Sequence, residues 1–321
     1  MTISEDLDPK DLVPKDLVLA DPAAVDDVLL PGFERRRVTT EDGAILALVG
    51  GSGPPLLMLH GDPQTHLCWH RMAPRLARQF TVVLTDLRGR GESHKPARSD
   101  DHRAYSKRAM AAEQAAVMDR LGFDRFALVG HDRGARVARR LALDHPDRVT
   151  RLAVMDIVPA LDFYERADAA IAQDYFYFFF LTQPYPAPER LIAGDPAHFM
   201  GRILTGLTAK EVSYDPLALD AYLQAATRED AIAAMCECFR AGISLDLEHD
   251  RQDRAAGRRI ACPTLVFWGE EGVVGRHFDI SAIWRGWAET VAFAPLSCGH
   301  FIPEEAPEAA TGQLLTFLQD R

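Results

Sequence analysis

Short apolar runs alternate with helical patterns along most of the chain. The runs predict eight strands, at residues 36–40, 44–50, 55–61, 80–86, 125–130, 149–156, 264–269 and 290–295. The third and fourth runs are continuously apolar, which is typical of strands buried on both faces of a parallel sheet. Helical periodicity is plainest at 105–122, which ends at Gly122, and in the closing segment 307–318. Strands alternating with helices predict an α/β fold with right-handed crossovers.

Two segments depart from this alternation. Residues 157–259 are helical and rich in aromatic residues, and they lack strong strand runs. We therefore expect a helical cap inserted after the sixth strand, with the core formed by residues 31–156 and 260–321. A cap over the carboxyl ends of the strands would enclose a pocket where open α/β sheets bind ligands. Residues 1–30, which contain the tandem repeat PKDLVPKDLV, are expected to be an N-terminal extension.

Composition narrows the function classes. The chain has 321 residues, 47% of them hydrophobic, and a net charge of −11 with no basic run. Nucleic acids and anionic membranes are therefore unlikely partners on electrostatic grounds. Five scattered cysteines without a C-x-x-C motif predict reduced thiols, a cytoplasmic location and no metal site. No secretory signal is visible, and the most apolar run is too short to span a bilayer.

The stretch LVGHDRGARVARRLA (residues 128–142) carries the most informative motif. Its strand–turn–helix context and its Gly130-x-Asp132-x-Gly134 spacing are similar to a hydrolase nucleophile elbow, with aspartate in the serine position. The glycines suit a tight turn with a strained nucleophile. An aspartate before a helix can also be an ordinary N-cap, so the motif alone leaves both interpretations open.

Partner residues favour the catalytic interpretation. His300 follows the last strand, which is where the base of a nucleophile–acid–histidine chain order would lie. Asp156, at the end of the sixth strand, is the preferred acid to orient this histidine. Glu270 and Glu271 also end a strand and remain alternatives. The segment LHGDPQTH predicts an oxyanion hole formed by the backbone N–H groups of Asp62 and Arg133.

Five segments carry a family resemblance: LMLHGDPQTHLCWHRMAP, TVVLTDLRGRGESHKP, FALVGHDRGARVARRLALDHPDRV, LAVMDIVP and LSCGHF. Together they resemble the fluoroacetate (haloacetate) dehalogenases of the α/β-hydrolase superfamily, from about residue 31 to the end. The epoxide hydrolases are close cousins. The resemblance implies a cofactor-independent enzyme with an Asp132–His300–Asp156 triad, and a homodimer.

The arginines of the motif DRGAR distinguish this resemblance from the cousins. Arg133 and Arg136, beside a helix N-terminus, would clamp the carboxylate of a substrate. The competing interpretation is that Arg133 and Arg136 are surface arginines paired with local acids, as we expect for Arg139 and Arg140. A carboxylate nucleophile displaces a leaving group at saturated carbon, and water then cleaves the enzyme's own ester. Both features suit a short 2-haloacid, and haloacetate would give glycolate.

The predicted halide pocket departs from the family. Fluoride-releasing members carry His, Trp and Tyr where this chain has Tyr177, Phe178 and Phe239. Two hydrogen-bond donors are lost, which would cost roughly 3–6 kcal/mol, or about 10²–10⁴ in rate. The rate of fluoride release should fall most, because fluoride is the most strongly hydrated halide. We therefore expect chloroacetate and bromoacetate to be preferred. Simple core packing is the competing interpretation for the neighbouring cap aromatics.

Two other functions stay open. An epoxide hydrolase would use a cap tyrosine to protonate the ring oxygen, and Tyr177 is placed to match one such tyrosine. The usual second tyrosine is replaced by Phe239, and a carboxylate clamp argues against a neutral epoxide. The other alternative is a catalytically silent α/β hydrolase that senses a small carboxylate. The presence of Asp132, Asp156 and His300 together argues against that alternative.

Overall fold

The computed structural model describes residues 21–209 and 214–319, so the tandem repeat at 9–18 lies outside the described residues. Eight strands form one sheet in the order β1-β2-β4-β3-β5-β6-β7-β8. The strands are β1 (Glu34–Thr39), β2 (Ala44–Gly50), β3 (Pro55–Leu59), β4 (Thr81–Thr85), β5 (Phe126–His131), β6 (Val149–Met155), β7 (Thr264–Gly269) and β8 (Val291–Leu296). The predicted eight-stranded α/β sheet is confirmed, with each strand within a few residues of its apolar run.

The sheet is mostly parallel. Strand β1 pairs antiparallel with β2 and β2 with β4, whereas all the other neighbours run parallel. A hairpin turn joins β1 and β2, where the backbone N–H of Thr40 donates to the carbonyl of Gly43. All six residues of β5 and the last four of β3 and β4 are buried. Burial on both faces explains why these strands read as continuous apolar runs.

Helices cover the sheet and its carboxyl-end edge. They are α1 (Pro22–Leu29), α2 (Ala73–Leu76), α3 (Lys107–Arg120), α4 (Asp132–Asp144), α5 (Ala160–Arg166), α6 (Ala169–Asp174), α7 (Phe176–Phe180), α8 (Ala187–Ile192), α9 (Pro196–Leu207), α10 (Pro216–Ala226), α11 (Glu229–Ala241), α12 (Leu247–Ala255), α13 (Val273–His277), α14 (Ile280–Trp287), α15 (Ile302–Glu305) and α16 (Pro307–Gln319). Ser106 is the N-cap of α3, and its side chain accepts the backbone N–H of Ala109. The helix ends before Gly122, which has a φ of +85°. Helix α4 begins at Asp132, directly after the end of β5 at His131.

The helices α5 to α12 all lie between β6 and β7 in the chain. A π-helical turn at Gly242–Asp246 joins α11 to α12. Within the predicted N-terminal extension, residues 22–29 form α1, and Val25 and Asp26 of this helix are buried. No helix of the described ranges is long and apolar enough to cross a membrane. All five cysteines are free thiols.

Candidate active site

The turn between β5 and α4 holds Asp132 in a strained conformation. Its φ of +46° lies in the left-handed region that aspartate adopts at a cost of about 1–3 kcal/mol. Two glycines make the turn possible. A Cβ at Gly134 would lie 2.1 Å from the carbonyl oxygen of Leu59, and one at Gly130 would lie 2.6 Å from the backbone of Ala135. This geometry is that of a nucleophile elbow, where a sharp strand-to-helix turn presents one side chain.

The carboxylate of Asp132 is buried and held in its charged form. Its Oδ1 accepts the backbone N–H of Asp62 at 3.0 Å. Burial by itself would raise the pKa of Asp132, but the charges of Arg133 and His300 outweigh it and hold this pKa well below the usual range. The loop carrying Asp62 approaches closely because Gly61 has no side chain; a Cβ there would lie 2.4 Å from that of Asp132.

His300 lies between two carboxylates. Its Nδ1 donates to Asp156 Oδ2 at 2.6 Å, and its Nε2 lies 3.8 Å from Asp132 Oδ2. Burial opposes protonation of His300, but the hydrogen bond and charge of Asp156 outweigh this and raise its pKa. The structure thus brings Asp132, His300 and Asp156 together. The alternative acids, Glu270 and Glu271, are exposed at the end of β7.

Asp156 is itself fixed by its surroundings. It has a φ of +53°, and its second oxygen, Oδ1, accepts the backbone N–H of Gly269 at 3.0 Å. A hydrogen bond to each carboxylate oxygen leaves this side chain little freedom, so it can hold the imidazole of His300 in one orientation and one tautomer. Its position at the end of β6 is the one that the sequence indicated.

His131 is a site residue that the sequence analysis did not single out. Its Nε2 donates to the carbonyl oxygen of His300 at 2.8 Å, and the two imidazole rings lie 4.8 Å apart. Complete burial lowers the pKa of His131 to about 3, so it is neutral and acts as a fixed hydrogen-bond donor. Its place directly before Asp132 was the available signal, since the residue that ends a central strand must lie close to the site.

Arg90 is a second residue that the sequence analysis missed. It binds the side chain of Asp62, whose negative charge would otherwise oppose an oxyanion at the predicted oxyanion hole. Its Nε and Nη2 donate to the two oxygens of Asp62, each at 2.6 Å. This bidentate pair is buried and neutralises the charge of Asp62. The backbone N–H of Asp62 can therefore face Asp132 without a second negative charge opposing it. Arg90 follows β4, whose carboxyl end neighbours that of β3.

The arginines that follow Asp132 divide into two kinds. Arg139 and Arg140 pair with acids, as expected, but both are buried and not on the surface. Their partners on α12 are distant in sequence, Asp250 at 2.6 Å and Asp253 at 2.5 Å, and the local acid Asp144 pairs with Arg140 alone of the two. In the part of the chain that the structure describes, no acid bonds to Arg133, whose guanidinium lies over the rings of Phe239 at 3.6 Å and Phe178 at 4.7 Å. Arg136 lies 5.7 Å from the Phe178 ring. Among the described residues it makes no hydrogen bond or ion pair.

The three predicted halide-pocket residues gather next to Arg133. Tyr177 and Phe239 line a small cavity at Asp132, together with Asp62, Arg133, Ile203 and Met235. Phe178 packs edge-to-face on Phe239 at 5.1 Å and does not line this cavity. Burial raises the pKa of Tyr177 well above its usual value, so its hydroxyl keeps its proton and can donate. Within the described ranges, no cluster of three or more His, Cys, Asp or Glu side chains could hold a metal ion.

Comparison with known proteins gives consistent relatives. The α/β hydrolase fold family matches residues 54–307. A fluoroacetate dehalogenase from Burkholderia sp is 44% identical over 91% of this chain and 96% of that protein. A soluble epoxide hydrolase from Corynebacterium sp. (strain C12) is 32% identical over 84% of this chain and 92% of that protein. The crystal structure of ALR0039 from Nostoc sp PCC 7120 is 46% identical, covers 90% of this chain and 99% of that one, and superposes with a TM-score of 0.88.

Proposed function

The chain belongs to the α/β-hydrolase family, and from this premise we propose that it hydrolyses short 2-haloacids, converting haloacetate and water to glycolate and halide. The resemblance to the haloacetate dehalogenases is confirmed by the 44% identity to one of them over nearly the whole chain. The observation that carries the substrate class is a buried, ionised carboxylate in the nucleophile position beside an arginine with no acid bonded to it.

In the first proposed step, Asp132 displaces the halide. One carboxylate oxygen attacks the carbon that bears the halogen, the carbon–halogen bond breaks, and halide leaves with the bonding electrons. An alkyl ester of Asp132 results. The lowered pKa of Asp132 keeps the carboxylate ionised, and its burial strips water from it, so the nucleophile is available at neutral pH.

In the second step, water cleaves the ester at the carbonyl carbon of Asp132. His300 takes a proton from this water, and Asp156 stabilises the imidazolium that forms. His300 Nε2 lies 3.8 Å from Asp132 Oδ2, beyond a direct hydrogen bond but near enough to the ester for this nitrogen to act on the attacking water. Because the ester carbonyl is the enzyme's own, the oxyanion donor must face Asp132, and the backbone N–H of Asp62 does so. The backbone N–H of Arg133 is proposed as the second oxyanion donor.

Arg133 and Arg136 are proposed to bind the substrate carboxylate. Arg133 Nε and Nη2 and Arg136 Nε are buried without hydrogen-bond partners in the described part of the chain. Buried donors without partners cost about 1–3 kcal/mol each, more when charged, so a bound carboxylate would recover this free energy. Holding the carboxylate one carbon from the halogen orients that carbon toward Asp132.

Tyr177 and Phe239, which line the cavity at Asp132, are proposed to contact the leaving halide, and Phe178, which packs on Phe239 and does not line that cavity, is proposed to shape the pocket from behind. Tyr177 supplies one hydroxyl, while the two phenylalanine rings supply none. The ring faces of Phe178 and Phe239 are occupied by the guanidinium of Arg133. Chloride and bromide need less stabilisation than fluoride, because their carbon–halogen bonds are weaker and their charge is more diffuse. We therefore expect chloroacetate and bromoacetate to be better substrates than fluoroacetate.

An epoxide hydrolase is the second candidate. The Corynebacterium relative and the buried hydroxyl of Tyr177 beside Asp132 favour it. The same triad would open the ring, with Tyr177 protonating the ring oxygen. The unpaired guanidiniums of Arg133 and Arg136 are a poor environment for a neutral substrate, so we rank this function lower. A homodimer in the cytoplasm, acting on a small-molecule substrate, is also part of this proposal.

Halide release from fluoro-, chloro- and bromoacetate, assayed beside styrene oxide, tests the substrate class. Turnover of chloroacetate supports a dehalogenase, turnover of styrene oxide alone supports an epoxide hydrolase, and no turnover of any of them contradicts both. His300→Asn should trap the ester, seen as an intact-mass increase that matches a carboxymethyl group on Asp132. Single turnover of the wild type in H₂¹⁸O should label Asp132 first. Label found only in glycolate would rule out the covalent step.

A further inference from the structure

A second cavity lies against the other side of Arg133. Arg133 is the one residue that lines both this cavity and the cavity at Asp132. The outer cavity runs along α4 and is bordered by the start of the α5–α12 segment and by α12. Its charged lining residues are Lys107, Arg133, Arg136, Arg139, Arg140, Asp246 and Asp250. Three of the five cations are offset by ion pairs, Lys107 to Asp246, Arg139 to Asp250 and Arg140 to Asp253. Arg133 and Arg136 have no ion pair in the described ranges, and their positive charge favours an anion.

Much of the hydrogen-bonding capacity of these arginines is unused. Six guanidinium nitrogens of the four arginines are buried without a partner in the described ranges. Arg139 is 4% exposed and has two such nitrogens, Nε and Nη2, although its Nη1 is paired with Asp250. Arg136 has no hydrogen bond or ion pair to any residue that the structure describes. Burial of its guanidinium and the charge of Arg133 lower the pKa of Arg136. A small anion would satisfy several of these donors at once.

Aromatic rings fix the cations around this cavity. Arg133 contacts the rings of both Phe178 and Phe239, and Arg139 lies 4.1 Å over the ring of Trp287. Ion pairs to α12 and the π-helical turn hold the outer cations, with Lys107 to Asp246 at 3.1 Å and Arg139 to Asp250 at 2.6 Å. The positive charge is therefore held in place and needs no rearrangement to meet an anion.

We propose that this outer cavity is an anion antechamber, which takes the carboxylate of the haloacid and passes it to Arg133 beside Asp132. The inference rests on the proposed function for the identity of the anion, but not for the binding of one. The sharing of Arg133 by the two cavities gives the route, since one guanidinium can contact the carboxylate from either side. A positive channel of this kind raises the association rate of anions by about 10–10³-fold at low salt.

His249 offers a way to change this charge without touching the proposed clamp. It lines the cavity, is only partly buried, and its Nδ1 has no partner in the described ranges. Arg108 and Arg140 act on it with positive charge and Asp246 and Asp144 with negative charge, so a charge of either sign placed there is partly offset. His249→Glu adds a negative charge to the cavity and His249→Lys adds a positive one. His198→Glu, at an exposed position of α9, is the matched control.

Steady-state kinetics with chloroacetate should separate these variants. At low ionic strength, His249→Glu should lower kcat/KM about 3–10-fold with kcat unchanged, while His249→Lys should equal or exceed the wild type. The loss should shrink at about 0.5 M salt, because the Debye length falls to a few ångströms. His198→Glu should match the wild type throughout. Equal kcat/KM for His249→Glu and His198→Glu, or a loss confined to kcat, would overturn the access route.

Bromide binding supplies a readout that needs no turnover. Crystals of the wild type soaked in bromide should show an anomalous peak beside Arg136, and the peak should weaken in His249→Glu and persist in His198→Glu. An empty outer cavity would contradict the antechamber even in an active dehalogenase. A bromide peak in a protein that releases no halide from any haloacetate would instead contradict the proposed function and leave the anion site standing.

Discussion

At the scale of single residues, Asp132 combines a strained backbone with a carboxylate that stays ionised despite burial. The strain at φ +46° is maintained because Gly130, Gly134 and Gly61 let the chain pack tightly around it. The ionised state is maintained by Arg133 and His300, whose charges outweigh the cost of burial. The same position with serine would attack a carbonyl, whereas the carboxylate is suited to attack at saturated carbon.

The role of Asp156 can be tested at this scale. Asp156→Asn removes the charge that raises the pKa of His300, so ester hydrolysis should slow by about 10²–10⁴-fold. Glu271→Gln, at an exposed position after β7, should stay within about twofold of the wild type. Single-turnover kinetics of ester hydrolysis measure both.

Because His300 must be neutral to accept a proton, the acid limb of the wild-type pH profile should lie above pH 6.5, and any residual activity of Asp156→Asn should have its limb at lower pH. A larger defect in Glu271→Gln would move the acid to β7.

Halogen preference is also decided by single side chains. Tyr177→His, Phe178→Trp and Phe239→Tyr combined would restore the donors found in fluoride-releasing relatives. The triple variant should raise fluoride release more than chloride release, because fluoride gains most from hydrogen bonding. Single substitutions should do less, since donors that share one ion couple strongly. Ion-selective electrodes measure both halides. Wild-type release of fluoride as fast as chloride would show that other donors serve the leaving group.

At the scale of elements, α1 is tied to the loop of Asp62, the proposed oxyanion donor. Asp26 of α1 accepts His66 Nε2–H at 2.9 Å, and Asp86, after β4, accepts His66 Nδ1–H at 2.8 Å. Burial opposes the charge on His66, but the two carboxylates outweigh it and raise its pKa to about 10. His66 lies four residues after Asp62, so a helix outside the sheet helps to hold the oxyanion loop in place.

Asp26→Asn should therefore destabilise the protein by about 1–3 kcal/mol, the cost of weakening a buried charged hydrogen bond. Asp27→Asn, its exposed neighbour on α1, should have little effect. Unfolded His66 loses its proton near pH 6.5 and the folded form near pH 10, so the folded state binds more protons between these values. Its contribution to stability is full below about pH 6.5 and is lost as pH rises through about 10. Denaturant melts at pH 7 and 10 should show a smaller pH dependence in Asp26→Asn; equal melts for the two variants would contradict this role of α1.

At the scale of the whole molecule, Glu304 joins three distant parts of the chain. Its Oε1 accepts the hydroxyl of Tyr222 on α10 at 2.6 Å and the amide of Gln64, in the loop after β3, at 3.3 Å. Its Oε2 accepts no hydrogen bond in the described ranges but lies 3.8 Å from Nε of Arg71, whose charge partly offsets that of the carboxylate. Burial raises the pKa of Glu304 to about 7, although the Tyr222 hydrogen bond opposes the shift. This carboxyl thus links the segment between β6 and β7 to the oxyanion loop and to α15.

Glu304→Gln should stabilise the protein at alkaline pH. The folded carboxyl keeps its proton up to about pH 7 while the unfolded one loses it near 4.5, so stability falls as pH rises between these values. Glutamine keeps the acceptor and removes the buried charge, and Tm at pH 8 should rise by roughly 2–4 °C. Glu305→Gln should lower Tm instead, because that carboxylate accepts three backbone N–H groups, from Ala209, Gly299 and Phe301. Differential scanning calorimetry at pH 5 and 8 measures both; a lower Tm for Glu304→Gln at pH 8 would refute the buried-charge argument.

Local patterns determined most of the fold and the order of the site residues along the chain. Apolar runs located all eight strands because burial on both faces of a sheet leaves little choice of side chain. Asp132, Asp156 and His300 could be selected because residues at the carboxyl ends of parallel strands meet at one edge. The strand–turn–helix spacing of the elbow is likewise local, since it depends on which residues tolerate a tight turn.

Tertiary structure decided what depends on contacts between distant segments. Sequence left Glu270 and Glu271 open as the acid, and only packing shows that they face solvent while Asp156 contacts His300. The Arg90–Asp62 pair joins two loops 28 residues apart, and no local pattern indicates it. The outer cavity requires α4 and α12 to pack side by side, although 111 residues separate Arg139 from Asp250. Pairings of this kind are set by the shape of the folded chain, because charge and hydrogen bonding act through space and not along the sequence.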